Sequence, residues 1–163
     1  MPVPDLFSPL TIRGQQFENR AWVSPMCMYS ASDGLVGDWH LVHLGSLAAG
    51  GAGLVMTEAT GVVPEGRISP LCPGIWSDDL AEGWRPVVEF AHGQGAVVGI
   101  QLAHAGRKAS TGAPFDGGGY VDQTRGGWQT AGPSAVAFDQ LPVPVAMTVD
   151  DIDVLVDAFA AAA

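Results

Sequence analysis

Two short apolar runs, GAGLVMTEA at residues 51–59 and GAVVGIQLA at residues 95–103, decide the fold class of this 163-residue chain. Each run starts with glycine, continues through apolar residues and reaches polar ones near its end, and each follows a segment with helical periodicity. Continuous apolar strands separated by helices are typical of a parallel sheet that is covered on both faces. The sequence therefore predicts an α/β fold.

Further strands are predicted on the N-terminal side of these runs. Residues 10–17 predict a small hairpin that turns at Arg13-Gly14. The parallel strands are then expected at residues 21–26, 52–59 and 96–103.

Three helices are predicted between and after the strands. Asp38 is a candidate N-cap for the first, which Gly50-Gly51 would end. Ser77 to Asp79 open the second, and Pro86 predicts that its regular part starts late. Thr148 caps the third. The apolar face of that last helix is predicted to comprise Ile152, Leu155, Val156 and Phe159.

The chain is expected to be part of a larger barrel. Its last helix is still in register at Ala163, without a stop signal, so we expect a chain cut within a helix. A βα repeat of roughly 40 residues has completed only three strands, whereas a (β/α)8 barrel typically needs about 250 residues. The predicted fold is a partial TIM (β/α)8 barrel, about the first three βα units with an N-terminal hairpin. Residues 1–163 would form the N-terminal part of one domain.

Charge and hydropathy exclude several kinds of partner. The net charge is −10 with only seven basic residues, which argues against binding to nucleic acid or to an anionic membrane. The longest uncharged apolar stretch, residues 41–57, is too short and too rich in glycine for a membrane span. The first residues lack a basic region typical of a signal peptide. Two cysteines, Cys27 and Cys72, form no CxxC motif and indicate free thiols in a reducing cytoplasm.

Polar side chains follow each of the three predicted strands. In a barrel of this type the carboxyl ends of the strands form the active face. The Gln101 amide suits a ring edge with alternating C=O and N–H groups, such as a flavin pyrimidine, or else it is a buried amide bonded to backbone. Glu58 is a base or an interior acid paired with a cation. His104 and Arg107 bind an anion or carbonyl, or they hold a loop.

A metal-dependent hydrolase is a weaker alternative. His40 and His43 have an i, i+3 spacing that permits a shared metal, and Glu58 would join them. No further ligand stands at a convincing spacing, so packing or surface histidines and no metal site are predicted.

Several motifs, in order, resemble the N-terminal half of the Old Yellow Enzyme family of flavin-dependent ene-reductases. They are LFSPLTIRGQQFENRAWVSPMCMYSA, GAGLVMTEATGVVPEGRISP, GIWSDD, GIQLAHAGRKA, GPSAVAFD and MTVDDI. The resemblance covers nearly the whole chain. It is strongest to the bacterial branch that places a cysteine beside the flavin.

This resemblance implies an FMN-binding barrel in which NADPH, or NADH, reduces the flavin. The reduced flavin would pass hydride to the β-carbon of a small α,β-unsaturated carbonyl compound. Cys27 would tune the flavin. Carried over by position, the cofactor-binding residues are Ser24, Pro25, Met26, Cys27, Ala59 and Gln101. The residues expected to face the substrate are Tyr29, Ile68 and Lys108.

The resemblance also defines what this chain lacks. In the family, a substrate-binding pair of histidines, or of histidine and asparagine, follows the next strand, as does a proton-donating tyrosine. The groups that grip the FMN phosphate come later still. Ala163 precedes all of them. The alternative interpretation is therefore a non-catalytic truncated half-barrel. For a full-length member, the resemblance implies a homo-oligomer.

Overall fold

A computed structural model describes residues 5–163 of the chain. The predicted hairpin is confirmed: β1 (Leu10–Ile12) pairs antiparallel with β2 (Gln15–Phe17). Arg13 and Gly14 both have positive φ, 47° and 89°. Two successive positive φ values are the requirement of the tight turn whose twist matches that of the flanking strands.

A three-stranded parallel sheet, in the order β3-β4-β5, forms the centre of the fold. Its strands are β3 (Trp22–Val23), β4 (Leu54–Gly61) and β5 (Val97–Ala103). The first strand is much shorter than the predicted 21–26. Pro25 has no N–H to donate to the ladder, and it also restricts the backbone of the residue before it.

Helix α1 (Asp38–Ala49) connects β3 to β4. Its N-cap is Gly37, so the prediction of Asp38 as the cap is wrong by one residue. The Gly37 N–H donates to His40 Nδ1 at 3.1 Å, and no side chain at the cap accepts a helix N–H. Asp38 instead lies in the first turn, where a negative charge favours the helix dipole. The end is as predicted, with Gly50 at the C-cap.

Helix α2 (Asp78–Gly93) connects β4 to β5 and begins at its predicted cap, Ser77. The expectation that Pro86 delays the regular helix is wrong, because the helix is continuous from Asp78. Leu80 and Trp84 are buried before the proline is reached. Their burial offsets the hydrogen bond that the proline cannot make.

The core lies between the sheet and the helices α1 and α2. Its buried side chains and those packed against them come from α1, α2 and the helix-facing side of the strands: Val36, Leu44, Ala48, Val55, Trp84, Val87, Ala91, Val98 and Ile100. The opposite face of the sheet is open. A Cβ built on Gly99 would lie next to Met56 and Leu54, so these residues share one face, and Gln101 follows on it. Met56 is half-buried there and Gln101 is exposed.

A β-bulge interrupts β4 where its polar residues begin. Met56 pairs with Gly99, but Ala59 pairs with Gln101, so β4 uses one more residue than β5 over this interval. The extra residue breaks the alternation of faces, and the consecutive residues Thr57 and Glu58 are both buried.

Residues 106–147 contain little regular structure, as predicted, apart from short 3-10 turns and a parallel pair, β6 (Ala131–Gly132) with β7 (Val145–Ala146). Helix α3 (Val149–Ala162) follows the predicted cap, Thr148, whose Oγ1 accepts the Asp151 N–H at 3.2 Å.

The predicted apolar face of α3 is only half correct. Leu155 and Phe159 are half-buried, but Ile152 and Val156 are 43% and 60% exposed. The helix lies over the segment after β4, where Leu155 meets Val63 across a cleft, and its remaining apolar residues have no strand beneath them. Within residues 5–163, no helix has both the length and the apolarity that a membrane span requires.

Candidate active site at the carboxyl ends of the strands

Three of the predicted cofactor residues form a continuous row across the sheet. Ala59 and Gln101 are direct partners in the β4–β5 ladder, so their side chains lie on the same, open face. The Cys27 sulfur lies within 4.8 Å of a carboxylate oxygen of Glu58, the residue before Ala59, which brings the loop after β3 to the same edge. We call Cys27, Ala59 and Gln101 the strand-end wall.

The loop after β3 carries the other predicted residues on this side. Ser24 and Met26 are exposed, and Pro25 is half-buried. Tyr29 takes a left-handed backbone conformation with φ 51°, which is uncommon for a residue with a side chain. Its ring meets the edge of Phe115 with the centroids 5.9 Å apart. Burial is the main cause that raises the pKa of Tyr29, so its hydroxyl keeps its proton at neutral pH.

Glu58 holds the loop after β3 through a hydrogen bond. The Met28 N–H donates to Glu58 Oε2 at 3.0 Å. On the other side, His40 Nε2 lies 3.3 Å from Glu58 Oε1, at an angle outside hydrogen-bond geometry. Both residues are buried. The position therefore favours the interior-acid interpretation of Glu58, since its carboxylate joins the loop after β3 to helix α1.

The two cysteines meet beside Glu58. The sulfur atoms of Cys27 and Cys72 and a Glu58 carboxylate oxygen all lie within 4.8 Å of one another. A hydrogen bond from the Cys72 thiol lowers the pKa of Cys27 to about 7, and the Ala59 N–H adds to this against desolvation and the Glu58 charge. The same hydrogen bond and complete burial raise the pKa of Cys72. Cys27 is thus the more acidic thiol of the pair, and Cys72 keeps its proton.

The wall fits one edge of a flavin. The exposed Gln101 amide offers a donor and an acceptor to a ring that carries alternating C=O and N–H groups. The polarizable Cys27 sulfur lies close by, next to the Ala59 backbone. The open face beside them carries the half-buried apolar Met56, whose sulfur lies where a Cβ of Gly99 would stand, and this gives a flat ring an apolar surface to pack on.

The remaining predicted substrate residues lie further along the same edge and do not join the wall directly. The Ile68 carbonyl accepts the Thr111 N–H at 2.9 Å, which ties the segment after β4 to the loop after β5. The Lys108 ammonium lies 4.2 Å from the centre of the Phe138 ring. Their contact with a substrate stays a prediction.

His104 and Arg107 serve different local roles. His104 Nδ1 accepts the Gly106 N–H at 3.2 Å, and burial lowers the pKa of His104 while the Glu65 charge opposes it. His104 lines a cleft of about 270 Å³ beneath α3, away from the wall. Arg107 Nη1 donates to the Val136 carbonyl at 3.3 Å, so this arginine holds a loop.

The histidines considered for a metal hydrolase do not assemble. His40 is buried against Glu58, whereas the His43 ring stacks on Trp39 with the centroids 6.0 Å apart. Among residues 5–163, these three side chains form no ligand cluster.

Sequence reasoning missed two features near the wall. Cys72 contacts Cys27 because the loop after β4 folds back to the carboxyl end of the strands. No periodic pattern in the sequence predicts this loop path. Arg67 lies between two indole rings, 5.2 Å from the centre of Trp76 and 5.1 Å from that of Trp128. Both tryptophans come after Arg67 in the sequence, Trp128 far beyond it, so no local pattern marks this cation–π contact.

Comparison with known proteins shows the family of this chain. The family model described as the NADH:flavin oxidoreductase / NADH oxidase family matches residues 5–163. The NADH:flavin oxidoreductase FG08077 of Gibberella zeae is 46% identical over 163 residues, which cover 97% of this chain and 40% of that protein. An NADPH dehydrogenase of Halalkalibacterium halodurans is 43% identical over 156 residues, covering 94% and 42%.

A solved structure shows the same fold. The Old Yellow Enzyme homologue from Zymomonas mobilis matches 98% of this chain and 44% of its own, with a TM-score of 0.80 and 30% identity. The chain thus spans about two fifths of the length of the relatives it matches. The expected resemblance to Old Yellow Enzymes, the partial TIM barrel and the pairing of FMN with a nicotinamide reductant are confirmed at the level of the family. The chain belongs to the NADH:flavin oxidoreductase / NADH oxidase family.

Proposed function

We propose that this chain supplies the flavin-facing wall of an FMN-dependent NAD(P)H oxidoreductase that reduces the C=C bond of α,β-unsaturated carbonyl compounds. The observation that carries the proposal is the row of Cys27, Ala59 and Gln101 at the carboxyl ends of three parallel strands. Ligands of α/β folds bind at this end of the strands.

Each residue of the wall has a distinct role in the proposal. Gln101 binds the pyrimidine edge through its amide, and Ala59 contacts the ring beside it. Ser24, Pro25 and Met26 line the ring, partly through backbone groups. Cys27 places a polarizable sulfur, partly ionised at neutral pH, next to the ring, where its charge disfavours further negative charge.

Tyr29 holds the acceptor in this proposal. Its backbone is fixed by the left-handed turn that follows the Met28–Glu58 hydrogen bond, and its hydroxyl is protonated at neutral pH. It can therefore donate to a carbonyl oxygen. Ile68 and Lys108 border the same pocket. When bound, FMN supplies the hydride chemistry between the nicotinamide and the acceptor.

We also propose the setting in which the whole protein acts. Its substrates are small molecules, without nucleic acid or membrane partners, and it is a cytoplasmic homo-oligomer. The acidic net charge of −10 supports the absence of nucleic-acid and membrane partners. The two free cysteines support a cytoplasmic location.

The test is FMN binding by the purified chain, followed as quenching of flavin fluorescence. We expect binding that Gln101→Ala weakens about tenfold, because one or two hydrogen bonds are lost. Gln140→Ala, at an exposed loop position, is the matched control and should bind like the parent. Equal affinity of the two variants would exclude the proposed wall, and no binding at all would show that this chain by itself does not hold FMN.

A turnover assay distinguishes an enzyme from a non-catalytic half-barrel, the two interpretations that the resemblance leaves open. NADPH oxidation that depends on an added cyclic enone would support the enzyme. FMN binding without turnover would support the non-catalytic half-barrel, in which the chain holds the ring but lacks the histidine pair and the tyrosine acid.

A further inference from the structure

The only two cysteines of the chain form a pair that neither sequence spacing nor the proposed function requires. Their sulfur atoms lie within 4.8 Å of each other. Cys27 is half-buried and Cys72 is fully buried. One thiol is therefore open to a small solute, and the other is shielded from it.

Backbone hydrogen bonds hold the two thiols together. The Ala31 N–H donates to the Leu71 carbonyl and the Gly61 N–H donates to the Pro73 carbonyl, both at 2.9 Å. The segment around Cys72 is thus tied to the loop that carries Cys27 and to the end of β4. Neither cysteine lies in a helix or strand, so rotation of the two side chains can bring the sulfurs towards the bonding distance of about 2 Å.

The two thiols differ in reactivity in the way that stepwise oxidation needs. The Cys72 hydrogen bond and the Ala59 N–H favour the thiolate of Cys27, which is the nucleophilic form. Cys72 keeps its proton. The accessible Cys27 sulfur would be oxidised first, and the buried Cys72 sulfur would then attack the oxidised Cys27.

We propose that Cys27 and Cys72 are a hydroperoxide-reactive pair, in which Cys27 is oxidised first and Cys72 resolves it to an intramolecular disulfide. The Cys27 thiolate attacks one peroxide oxygen, an S–O bond forms, and the O–O bond breaks. The second oxygen leaves with the electron pair and takes a proton from solvent. The Cys72 sulfur then attacks the sulfenic sulfur, an S–S bond forms, and the S–O bond breaks to release water with the Cys72 proton.

The electrons balance without any bound group. The two thiols lose two electrons in total, and the O–O bond of the hydroperoxide accepts them. Because only these side chains and the added oxidant take part, failure of FMN binding would leave this inference untouched.

The experiment treats the purified 163-residue chain with hydrogen peroxide and maps its peptides without reduction. After the oxidised chain is denatured, trypsin places Cys27 in residues 21–67 and Cys72 in residues 68–107, since Arg85 precedes Pro86 and resists cleavage. We expect one linked pair of these two peptides, a monomer mass lower by two hydrogen atoms, and loss of both free thiols that dithiothreitol reverses.

Cys72→Ser isolates the first step. In this variant we expect Cys27 sulfenic acid that dimedone traps, followed by sulfinic acid that dithiothreitol does not reduce. In the parent chain, the rate of Cys27 oxidation should fall about tenfold per pH unit below about 7, as the thiolate fraction falls.

Three outcomes would overturn the inference: survival of both thiols, Cys27 sulfinic acid beside a free Cys72 in the parent chain, or a disulfide between two Cys27 residues of different molecules. Stoichiometric zinc on the two thiols that blocks their oxidation would also overturn it. The peptide map of the parent chain decides even if Cys72→Ser does not fold.

Discussion

Glu58 is the side chain that joins the candidate site to the core. Its carboxylate accepts the Met28 N–H and lies 3.3 Å from His40 Nε2. The Glu58 carboxylate and the His40 imidazole are both buried. Replacement with Ala would leave the Met28 N–H and the His40 ring without this partner. We expect Glu58→Ala to lower the free energy of unfolding by about 2–4 kcal/mol, measured by urea denaturation.

Glu89→Ala is the control for that measurement. The Glu89 side chain is 69% exposed and lies 4.0 Å from Arg85, so its loss should change stability by less than about 0.5 kcal/mol. If both variants unfold at the same urea concentration, Glu58 does not hold the loop.

Cys72 sets the reactivity of Cys27 through one hydrogen bond. Cys72→Ala removes that bond, so we expect the pKa of Cys27 to rise from about 7 towards its ordinary value of 9.0. The pH profile of alkylation by iodoacetamide measures this shift. A profile that keeps its midpoint near 7 in Cys72→Ala would assign the low pKa to the Ala59 N–H instead.

The same pKa has a consequence for stability. Folding lowers the pKa of Cys27, so the thiolate stabilises the folded chain fully above pH 9.0, and this contribution is lost as pH falls through about 7.

The residues of the site could be predicted only in part. Gln101 stood out because it is a polar residue at the end of an apolar run, and the ladder places it beside Ala59. Cys72 could not be predicted, because its contact with Cys27 depends on the path of an irregular loop between β4 and α2. Local patterns report periodic structure, and this loop has none.

At the scale of elements, α2 is limited by its proline. Pro86 is exposed, lacks the N–H that would bond back along the helix, and fills no part of the core. We expect Pro86→Ala to raise the free energy of unfolding by about 1–3 kcal/mol, measured by thermal or urea denaturation. Asp79→Ala, at an exposed position in the first turn, is the matched control and should not stabilise. Equal stability of Pro86→Ala and the parent would mean that the helix is already distorted at this point.

Element types were predictable, and their details depended on long-range contacts. The hairpin, the strands β4 and β5 and the caps Ser77 and Thr148 follow from local signals. The bulge in β4 does not, because its sequence TEAT is compatible with regular alternation. It is defined only by the register with β5, which no local pattern encodes.

At the scale of the whole molecule, apolar surface remains uncovered. Val149, Val154 and Val156 on α3 are 73%, 67% and 60% exposed, and one face of the sheet is open. Surfaces of this kind promote association. We expect the purified chain to self-associate with rising concentration, measured by sedimentation velocity, and to enhance ANS fluorescence.

Paired substitutions on α3 test which property drives that association. Val149→Gln with Val156→Gln should weaken it, because apolar area is removed without a change of charge. Asp153→Gln with Asp157→Gln alters the same helix but leaves its apolar residues in place, so association should not weaken. A monomeric parent chain at all concentrations would contradict the expectation.

The position of Arg67 between Trp76 and Trp128 has a practical consequence for handling this protein. Its guanidinium also donates to the Pro64 and Pro70 carbonyls, at 3.0 and 3.1 Å. A protease must draw an arginine and its flanking backbone out into an extended strand before it can cut. Trypsin should therefore spare Arg67 in the native chain and cut first at Arg125, whose side chain is 61% exposed. Early cleavage after Arg67 would show that the loops around the site have separated. Resistance of this bond to trypsin is therefore a check that a preparation is natively folded.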